Sequence, residues 1–317
     1  MSLLSILAYI LLFYVGVTTA LFAAAHFTAP PNGAPTSAAL QQPHQAFCFW
    51  ARILASIGAL CLCASYGVVA SICLRLVGYG GLAQWTTARS FKYAMWLVTG
   101  VWFDIGKEGG EWLKIRPAVF MGNHQTELDV LMLATVWPQY CSVTAKKSLK
   151  WVPFLGQFMA LSKTVFIDRK NRSGSIAVFD SAVKEMHRSR QSVYIFPEGT
   201  RSYAIEPKLL PFKKGAFHLA IQAQVPIVPA VVANYSNILN FKRKIFRAGR
   251  IPIKVLKPFE TKGLTGADVD TLMADVREAM LKEIIALSNE QGIGLKNETN
   301  GGAVASGVDT GKIANGS

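Results

Sequence analysis

Acidic side chains are missing from the first third of this sequence. Residues 1–101 contain only four charged side chains, Arg52, Arg75, Arg89 and Lys92, and all four are basic. The whole chain has 33 basic and 19 acidic residues and a net charge of +14, so the charged part lies beyond residue 103. This distribution indicates an apolar N-terminal part joined to a basic domain. Such a domain suits anionic lipid headgroups, phosphorylated ligands or nucleic acid.

Several motifs that would indicate other functions are also absent. The five cysteines, at positions 48, 61, 63, 73 and 141, show neither a disulfide framework nor metal-ligand spacing, which favours packing residues in a reducing compartment. The sequence lacks zinc-finger spacing and basic-aromatic RNA motifs, so we expect no nucleic-acid partner. A Gly-x-Ser-x-Gly elbow is missing as well, which argues against a serine hydrolase.

Two long apolar runs are present in the N-terminal part. Residues 3–25 and 53–74 are each long enough to cross a bilayer, and we predict two membrane helices, with a buried helical hairpin as the alternative. Basic residues follow the second run and favour the cytosolic side. Two crossings then place the N-terminus and the large domain in the cytosol. A shorter apolar patch at 93–102 is predicted to lie in the membrane interface or to pack on the domain.

The remaining sequence alternates between strand-like and helix-like segments. This alternation predicts an α/β fold with a mostly parallel central sheet flanked by helices, preceded by N-terminal membrane helices. We predict membrane-anchoring helices and a connector at 1–92, the α/β domain at 93–290 and a disordered tail at 291–317. The predicted strands are 118–121, 141–144, 164–167, 192–196, 227–233 and 251–256, and the predicted helices are 127–136, 147–160, 174–189, 215–223 and 268–289.

The sequence Asn-His-Gln-Thr-Glu-Leu-Asp at 123–129, here called the histidine motif, follows a predicted buried strand. His124 is placed to remove a proton from an alcohol, with Asp129 orienting the ring and stabilising its cation. Asp129 reaches His124 only if residues 123 and 124 are still in the turn. If the helix already began at His124, Glu127 would be its partner. The alternative is a helix start with a capping pair, Thr126 and Asp129, and a structural histidine.

Phe-Pro-Glu-Gly-Thr-Arg-Ser at 196–202, here called the arginine motif, follows another predicted strand. Pro197 and Gly199 favour a turn whose amides can converge on an anion. Arg201 could grip a phosphate bidentately, and Glu198 could accept a hydrogen bond from a sugar or glycerol hydroxyl. A type I turn with a surface arginine is the alternative.

Three further segments could contribute to a site. Arg169 ends a predicted strand and is a candidate second phosphate contact, or else a partner in a strand-end salt bridge. The Pro-rich strand at 225–230 is predicted to form a wall of an acyl-binding groove, with edge-strand packing as the alternative. Basic residues interleaved with two phenylalanines at 241–250 predict a membrane-surface patch, with about 1 kcal/mol of attraction for each cation near anionic lipid.

These motifs together resemble those of the glycerolipid acyltransferase family. The shared features are Asn-His-x4-Asp, Phe-Ile-Asp-Arg, Phe-Pro-Glu-Gly-Thr-Arg-Ser and Val-Pro-Ile-Val-Pro, in this order over residues 75–260. The members that acylate lysophosphatidic acid are the most similar. The resemblance implies that His124 and Asp129 are catalytic, and that the substrate is bound by Arg169, Glu198, Gly199, Thr200 and Arg201.

The resemblance also implies an activity and a location. We expect acyl transfer from acyl-CoA, as co-substrate, to the sn-2 hydroxyl of lysophosphatidic acid, giving phosphatidic acid in phospholipid biosynthesis. No metal or other cofactor is expected, and the partners are membrane lipid and these two substrates. We expect the endoplasmic reticulum membrane with the catalytic domain in the cytosol. Glycerol-3-phosphate or another lysophospholipid remains possible as acceptor, and a lipid-binding protein without catalysis is the alternative from another class.

Overall fold

The computed structural model describes residues 2–29, 38–162, 164–167 and 172–292. The predicted tail lies almost wholly outside these residues. The helices are α1 (Leu3–Phe27), α2 (Ala38–Leu76), α3 (Ala83–Thr99), α4 (Asp129–Val136), α5 (Leu155–Leu161), α6 (Arg172–Ser189), α7 (Gly215–Ala223) and α8 (Val269–Glu290). The strands are β1 (Val101–Ile105), β2 (Val119–Gly122), β3 (Cys141–Lys146), β4 (Val165–Ile167), β5 (Ser192–Ile195), β6 (Ile227–Val232), β7 (Leu239–Asn240), β8 (Ile245–Phe246) and β9 (Gly249–Val255).

A seven-stranded sheet in the order β1-β9-β6-β2-β5-β3-β4 forms the centre of the domain. The strands from β6 to β4 run parallel to one another, whereas β9 is antiparallel to β6 and β1 is parallel to β9. Strands β2, β5 and β6 are buried along their whole length. Continuous apolar strands of this kind belong to sheets that are covered on both faces. The predicted α/β fold with a mostly parallel sheet is confirmed.

Two apolar cores lie on opposite faces of this sheet. Successive side chains of a strand point to opposite faces, and β2 supplies both cores in this way. Phe120 packs in the core that includes Phe103 and residues of α3 and α4. Its neighbour Val119 packs in the other core with Phe217 of α7 and residues of α8. The sheet is therefore held between two helical layers, and β2 lies near its middle.

Two predicted segments are divided in the structure. The predicted helix at 147–160 is a 3₁₀ turn at Lys147–Trp151 followed by α5, because Pro153 lacks an N–H and cannot continue a helix. The apolar patch at 93–102 is the end of α3 and the start of β1, a strand that was not predicted. Gly100 adopts φ 70° between them, the left-handed conformation that commonly ends helices.

Helix α2 packs along the α/β domain. The Arg52 side chain of α2 donates from Nε to the Thr99 carbonyl oxygen at 3.1 Å and from Nη1 to the Phe246 carbonyl oxygen at 3.0 Å. Helix α3 contacts both α2 and α4, so the predicted domain boundary at 92/93 falls inside a helix that packs on both parts. By length and composition, segments Ser5–Phe27 and Gln42–Leu76 can each cross a membrane.

The Pro-rich strand β6 lies inside the sheet, between β9 and β2, so the edge-strand alternative is wrong. The strand can lie inside the sheet because the N–H that Pro229 lacks would point to a place where little pairing is lost. The Pro229 carbonyl accepts a hydrogen bond from the Leu256 N–H at 2.8 Å, so the N–H side of Pro229 faces β9. Regular pairing between β6 and β9 begins only one residue later, at Ala230 and Val255, so few ladder hydrogen bonds are lost.

Candidate active site

Both motifs lie at the same edge of the sheet. The histidine motif follows the carboxyl end of β2, the arginine motif follows that of β5, and these two strands are parallel neighbours. The motifs also pair with each other through their backbones. Ser202 N–H donates to the His124 carbonyl at 2.9 Å, and Tyr203 N–H donates to the Gln125 carbonyl at 3.0 Å. The topology therefore brings together residues that are more than 70 positions apart, where ligands of α/β folds gather.

His124 and Asp129 make the predicted contact. Helix α4 begins at Asp129, so His124 is still in the turn, and its Nδ1 lies 2.7 Å from Asp129 Oδ2. An ionised carboxylate only accepts hydrogen bonds, so Nδ1 carries the proton and Nε2 keeps its lone pair. The alternative partner, Glu127, bonds to other residues. This tautomer is the one that a general base at Nε2 requires.

The Asp129 carboxylate is almost fully enclosed, with 1% exposure. Besides the imidazole, Oδ2 accepts hydrogen bonds from the Gln125 N–H at 2.6 Å and the Thr126 N–H at 3.2 Å. Its other oxygen, Oδ1, accepts one from the Tyr235 hydroxyl at 2.6 Å. These donors satisfy the negative charge in place of water. Tyr235 was not predicted from the sequence, although it follows β6, the other neighbour of β2.

Glu198 has contacts that differ from the predicted one. Its Oε1 accepts from the His124 N–H at 2.7 Å and its Oε2 from the Leu210 N–H at 2.9 Å. The residue is only 3% exposed. Burial raises the pKa of Glu198, and these two amide hydrogen bonds oppose that rise. Its position therefore indicates that it holds the backbone of His124, whereas the substrate contact was inferred from the motif alone.

Two of the remaining predicted residues, Gly199 and Arg201, make contacts within the arginine motif and with the histidine motif. Gly199 closes the turn with φ 69°, and its N–H donates to the Phe196 carbonyl at 3.1 Å. Arg201 Nη1 donates to Glu127 Oε1 at 3.0 Å, and the Tyr203 hydroxyl donates to the same oxygen at 2.6 Å. Arg169 lies outside the described residues.

The ring of Phe196 stacks on the imidazole of His124. Their centroids are 4.1 Å apart and the rings are inclined by only 16°. The sequence pattern did not point to this contact, because Phe196 was predicted as the last residue of a strand. Stacking limits rotation of the imidazole, and an aromatic face also favours a cation above it. Phe196 therefore helps to fix the ring in the orientation that faces the cavity.

A cavity of about 410 Å³ opens beside these residues. His124, Thr200 and Arg201 are among the residues that line it, and most of its wall is apolar. The wall includes Leu60, Ala64, Ala88, Phe91, Phe158 and Met159, which come from α2, α3 and α5. Residues of β6 are not among those that line it, so the prediction that the Pro-rich strand forms the groove wall is wrong. That strand is buried within the sheet.

Known proteins with similar sequences show the family to which this chain belongs. The chain is 44% identical over 241 residues to a 1-acyl-sn-glycerol-3-phosphate acyltransferase of Saccharomyces cerevisiae, covering 75% of this chain and 79% of the relative. The chain belongs to the acyltransferase family. The family model described as Acyltransferase matches residues 105–233, which include both motifs. The predicted resemblance is thereby confirmed, as is the prediction that the protein is an acyltransferase enzyme.

Two further comparisons agree with this assignment. The chain is 36% identical over 265 residues to a human 1-acyl-sn-glycerol-3-phosphate acyltransferase beta, covering 81% of this chain and 90% of the relative. The crystal structure of a 1-acyl-sn-glycerophosphate acyltransferase, PlsC, from Thermotoga maritima matches with a TM-score of 0.57 at 20% identity. That match covers 78% of this chain and 97% of the other, and it shows a shared fold.

Proposed function

We propose that this acyltransferase transfers an acyl chain from acyl-CoA to the sn-2 hydroxyl of lysophosphatidic acid and so forms phosphatidic acid. The observation that supports it most directly is the orientation of His124. Its Nδ1 is bonded to Asp129, and the ring lines a mostly apolar cavity that also includes Arg201. A base, a cation and an apolar wall are what a phosphorylated acceptor and a fatty acyl chain require. The names of the yeast and human relatives support the same acceptor.

The chemistry follows from the histidine tautomer. Nε2 of His124 takes the proton of the acceptor hydroxyl while that oxygen attacks the thioester carbonyl carbon. The tetrahedral intermediate collapses, the C–S bond breaks, and the leaving thiolate of CoA receives the proton from the imidazolium. Asp129 stabilises the imidazolium during this step. General-base assistance contributes about 10²–10⁴ in rate, and no covalent bond to the enzyme is needed.

Arg201 is the proposed contact for the acceptor phosphate. Arg201 lines the same cavity as His124, and its side chain is partly exposed. A planar guanidinium binds phosphate oxygens bidentately. Arg169 is proposed as a second cation for the same group, on the basis of the family resemblance. Gly199 and Thr200 are proposed to shape the loop that presents the arginine.

The acyl chain is proposed to lie in the cavity between α2, α3 and α5. The apolar side chains of the cavity wall exclude water from the chain and direct its thioester towards His124. Parts of α2 and α3 also face outward. Exposed apolar residues cover α1 and parts of α2 and α3, for example Phe13, Leu62 and Leu97. Because the donor, the acceptor and the product are lipids, a membrane-facing surface next to the groove is consistent with the activity.

The proposed location is the endoplasmic reticulum membrane, with the catalytic domain facing the cytosol. Gln45 of α2 donates from Nε2 to the Arg243 carbonyl at 2.7 Å. The ring of Phe241 lies edge-on to Phe49 of α2 at 5.7 Å. The predicted basic patch therefore lies beside the first part of α2. We propose that this patch contacts anionic lipid headgroups at the membrane surface.

The decisive experiment is His124→Ala in the purified full-length protein, with release of the CoA thiol as the assay. We expect the rate of acyl transfer to fall by about 10²–10⁴, with unchanged membrane binding and melting temperature. His218→Ala is the matched control, because His218 is exposed on α7 and should leave the rate unchanged. Wild-type rates in His124→Ala would refute this function. A wild-type protein that binds these lipids without any thiol release would be a lipid-binding protein.

A comparison of acceptors tests the substrate. Lysophosphatidic acid, glycerol-3-phosphate and lysophosphatidylcholine are supplied with the same acyl-CoA. We expect the highest kcat/KM with lysophosphatidic acid, because it offers both an exposed phosphate for Arg201 and an apolar chain. A higher value with glycerol-3-phosphate would move the assignment to the alternative acceptor.

A further inference from the structure

The second oxygen of the Asp129 carboxylate has a partner outside both motifs. Oδ2 is bonded within the histidine motif, to the imidazole and to two backbone amides. Oδ1 is bonded to the hydroxyl of Tyr235 at 2.6 Å, and these two residues are 106 positions apart. Tyr235 lies just after β6, which is the parallel neighbour of β2. The sheet thus brings a phenol to the carboxylate from the side opposite the arginine motif.

The hydrogen bonds around the Tyr235 hydroxyl determine where its proton points. The hydroxyl accepts from the Thr126 N–H at 3.1 Å and lies 3.0 Å from Thr126 Oγ1. Thr126 Oγ1 itself accepts from the Leu128 N–H at 3.1 Å. Because Asp129 has no proton to offer when ionised, the phenol donates to Oδ1 and the threonine hydroxyl donates to the phenol.

The Tyr235 ring is held as firmly as its hydroxyl. It is 1% exposed and lies edge-on to Phe103 at a centroid distance of 5.9 Å. Burial, followed by the nearby charge of Asp129, raises the pKa of Tyr235. The phenol therefore stays protonated, and remains a donor, throughout the pH range in which a histidine titrates.

We propose that Tyr235 is a positioning residue that fixes the Asp129 carboxylate and moderates the basicity of His124. This inference rests on the proposed acyl transfer through His124. The hydrogen bond from Tyr235 withdraws part of the negative charge of Asp129 from the oxygen that faces the imidazole. Without that bond, the carboxylate turns more freely and attracts the imidazolium proton more strongly. The base then points less accurately at the acceptor hydroxyl and is protonated up to a higher pH.

Tyr235→Phe tests this role, because it removes one oxygen and keeps the ring. We expect kcat to fall by about 10-fold, which is within the range for a displaced catalytic group. The KM for each substrate should stay within about a factor of two of the wild-type value, because Tyr235 does not contact the substrates. The acid limb of the profile of kcat/KM against pH should move upward by about 0.5–1 unit. Glu198 and Tyr194 also lie close enough to Asp129 to interact with its charge, and both are unchanged in this variant.

Tyr194→Phe is the matched control. Tyr194 is also fully buried, and its hydroxyl donates to the Met132 sulfur at 3.7 Å. It should lose stability like Tyr235→Phe but keep the wild-type kcat and pH profile. Equal kinetic effects in the two variants, or a Tyr235→Phe protein with the wild-type kcat and acid limb, would overturn the inference.

A second variant covers the case in which Tyr235→Phe does not fold. Thr126→Val removes the hydroxyl that donates to the phenol, and the Tyr235–Asp129 contact then has one anchor fewer. We expect kcat to fall and the acid limb to move upward, both by less than in Tyr235→Phe. If neither changes, the proposal is contradicted. His124→Ala separates the two proposals. If it is inactive while Tyr235→Phe matches the wild type, only the role of Tyr235 fails, and if it is active, the proposed function fails as well.

Discussion

Replacing Glu198 distinguishes a residue that supports His124 from one that binds the substrate. Glu198→Ala removes both acceptors and leaves the His124 and Leu210 amides without partners in a buried site. Each unpaired buried amide costs about 1–3 kcal/mol, so for two amides we expect a loss of about 2–6 kcal/mol in the free energy of unfolding. For a domain of this size the melting temperature should fall by about 4–24 °C. We also expect kcat to fall by about 100-fold, because the backbone of His124 loses an anchor.

Glu198→Gln should behave differently. Its amide oxygen keeps one hydrogen bond, and its NH₂ group faces the other N–H donor. The variant also removes the cost of burying a negative charge. That cost exceeds the stabilisation from the two hydrogen bonds, since burial is the largest influence on the raised pKa of Glu198. The two effects oppose each other, and we expect a change within about 1 kcal/mol.

The pH dependence of stability follows from the same pKa. The folded-state pKa of Glu198 lies above its ordinary value of 4.5, so the folded protein holds this proton more tightly than the unfolded chain. The resulting stabilisation is complete below pH 4.5 and is lost as the pH rises through the folded-state pKa. The wild type should lose this stabilisation as the pH rises, whereas the stability of Glu198→Gln should not depend on pH through this residue.

The melting temperatures of the wild type and both variants are measured in detergent between pH 4 and 8. The kcat and the KM for the acceptor are measured at varied acceptor concentration. Glu206→Ala is the control, because Glu206 is exposed in the loop between β5 and α7 and its replacement should change neither stability nor rate. One result would refute the reasoning. If Glu198→Ala melts like the wild type and raises only the KM for the acceptor, then Glu198 contacts the acceptor hydroxyl, as the motif first suggested.

Three further predictions concern the base, the phosphate contact and the groove. Asp129→Asn should lower kcat by about 10²–10⁴, because a neutral amide stabilises the imidazolium poorly, and circular dichroism should show an intact fold. Wild-type kcat in that variant would exclude Asp129 as the partner. Glu127→Gln should lower the KM for lysophosphatidic acid by a few-fold (about 1 kcal/mol or less for an exposed ion pair), because Arg201 is released from Glu127. A raised KM would contradict the idea that Glu127 competes with the acceptor phosphate for Arg201. Ala88→Phe fills part of the cavity and should lower kcat/KM for long-chain relative to short-chain acyl-CoA. The matched change Leu97→Phe at an exposed position should not, and equal ratios in the two variants would place the acyl chain elsewhere.

The sequence alone was sufficient for the fold class, the family and the central pair. Apolar segments bounded by turns predicted six strands of the main sheet, and all six are present with ends shifted by at most two residues. The five-residue spacing in the histidine motif allowed Asp129 to reach His124 if the helix began after residue 124, and the family resemblance selected this pair. These inferences succeeded because they depend on local periodicity and on neighbours within one turn, which the order of residues specifies directly.

The contacts between distant segments required the tertiary structure. The sequence did not indicate that β6 lies inside the sheet, that Tyr235 meets Asp129, or that Glu198 holds the backbone of His124. The Pro-rich strand was expected to line a groove, whereas the cavity beside His124 is lined by residues of several helices, including α2, α3 and α5. Each of these facts depends on which strands are neighbours and on how helices pack over them. Strand order follows from packing summed over the whole chain, so no short motif contains it.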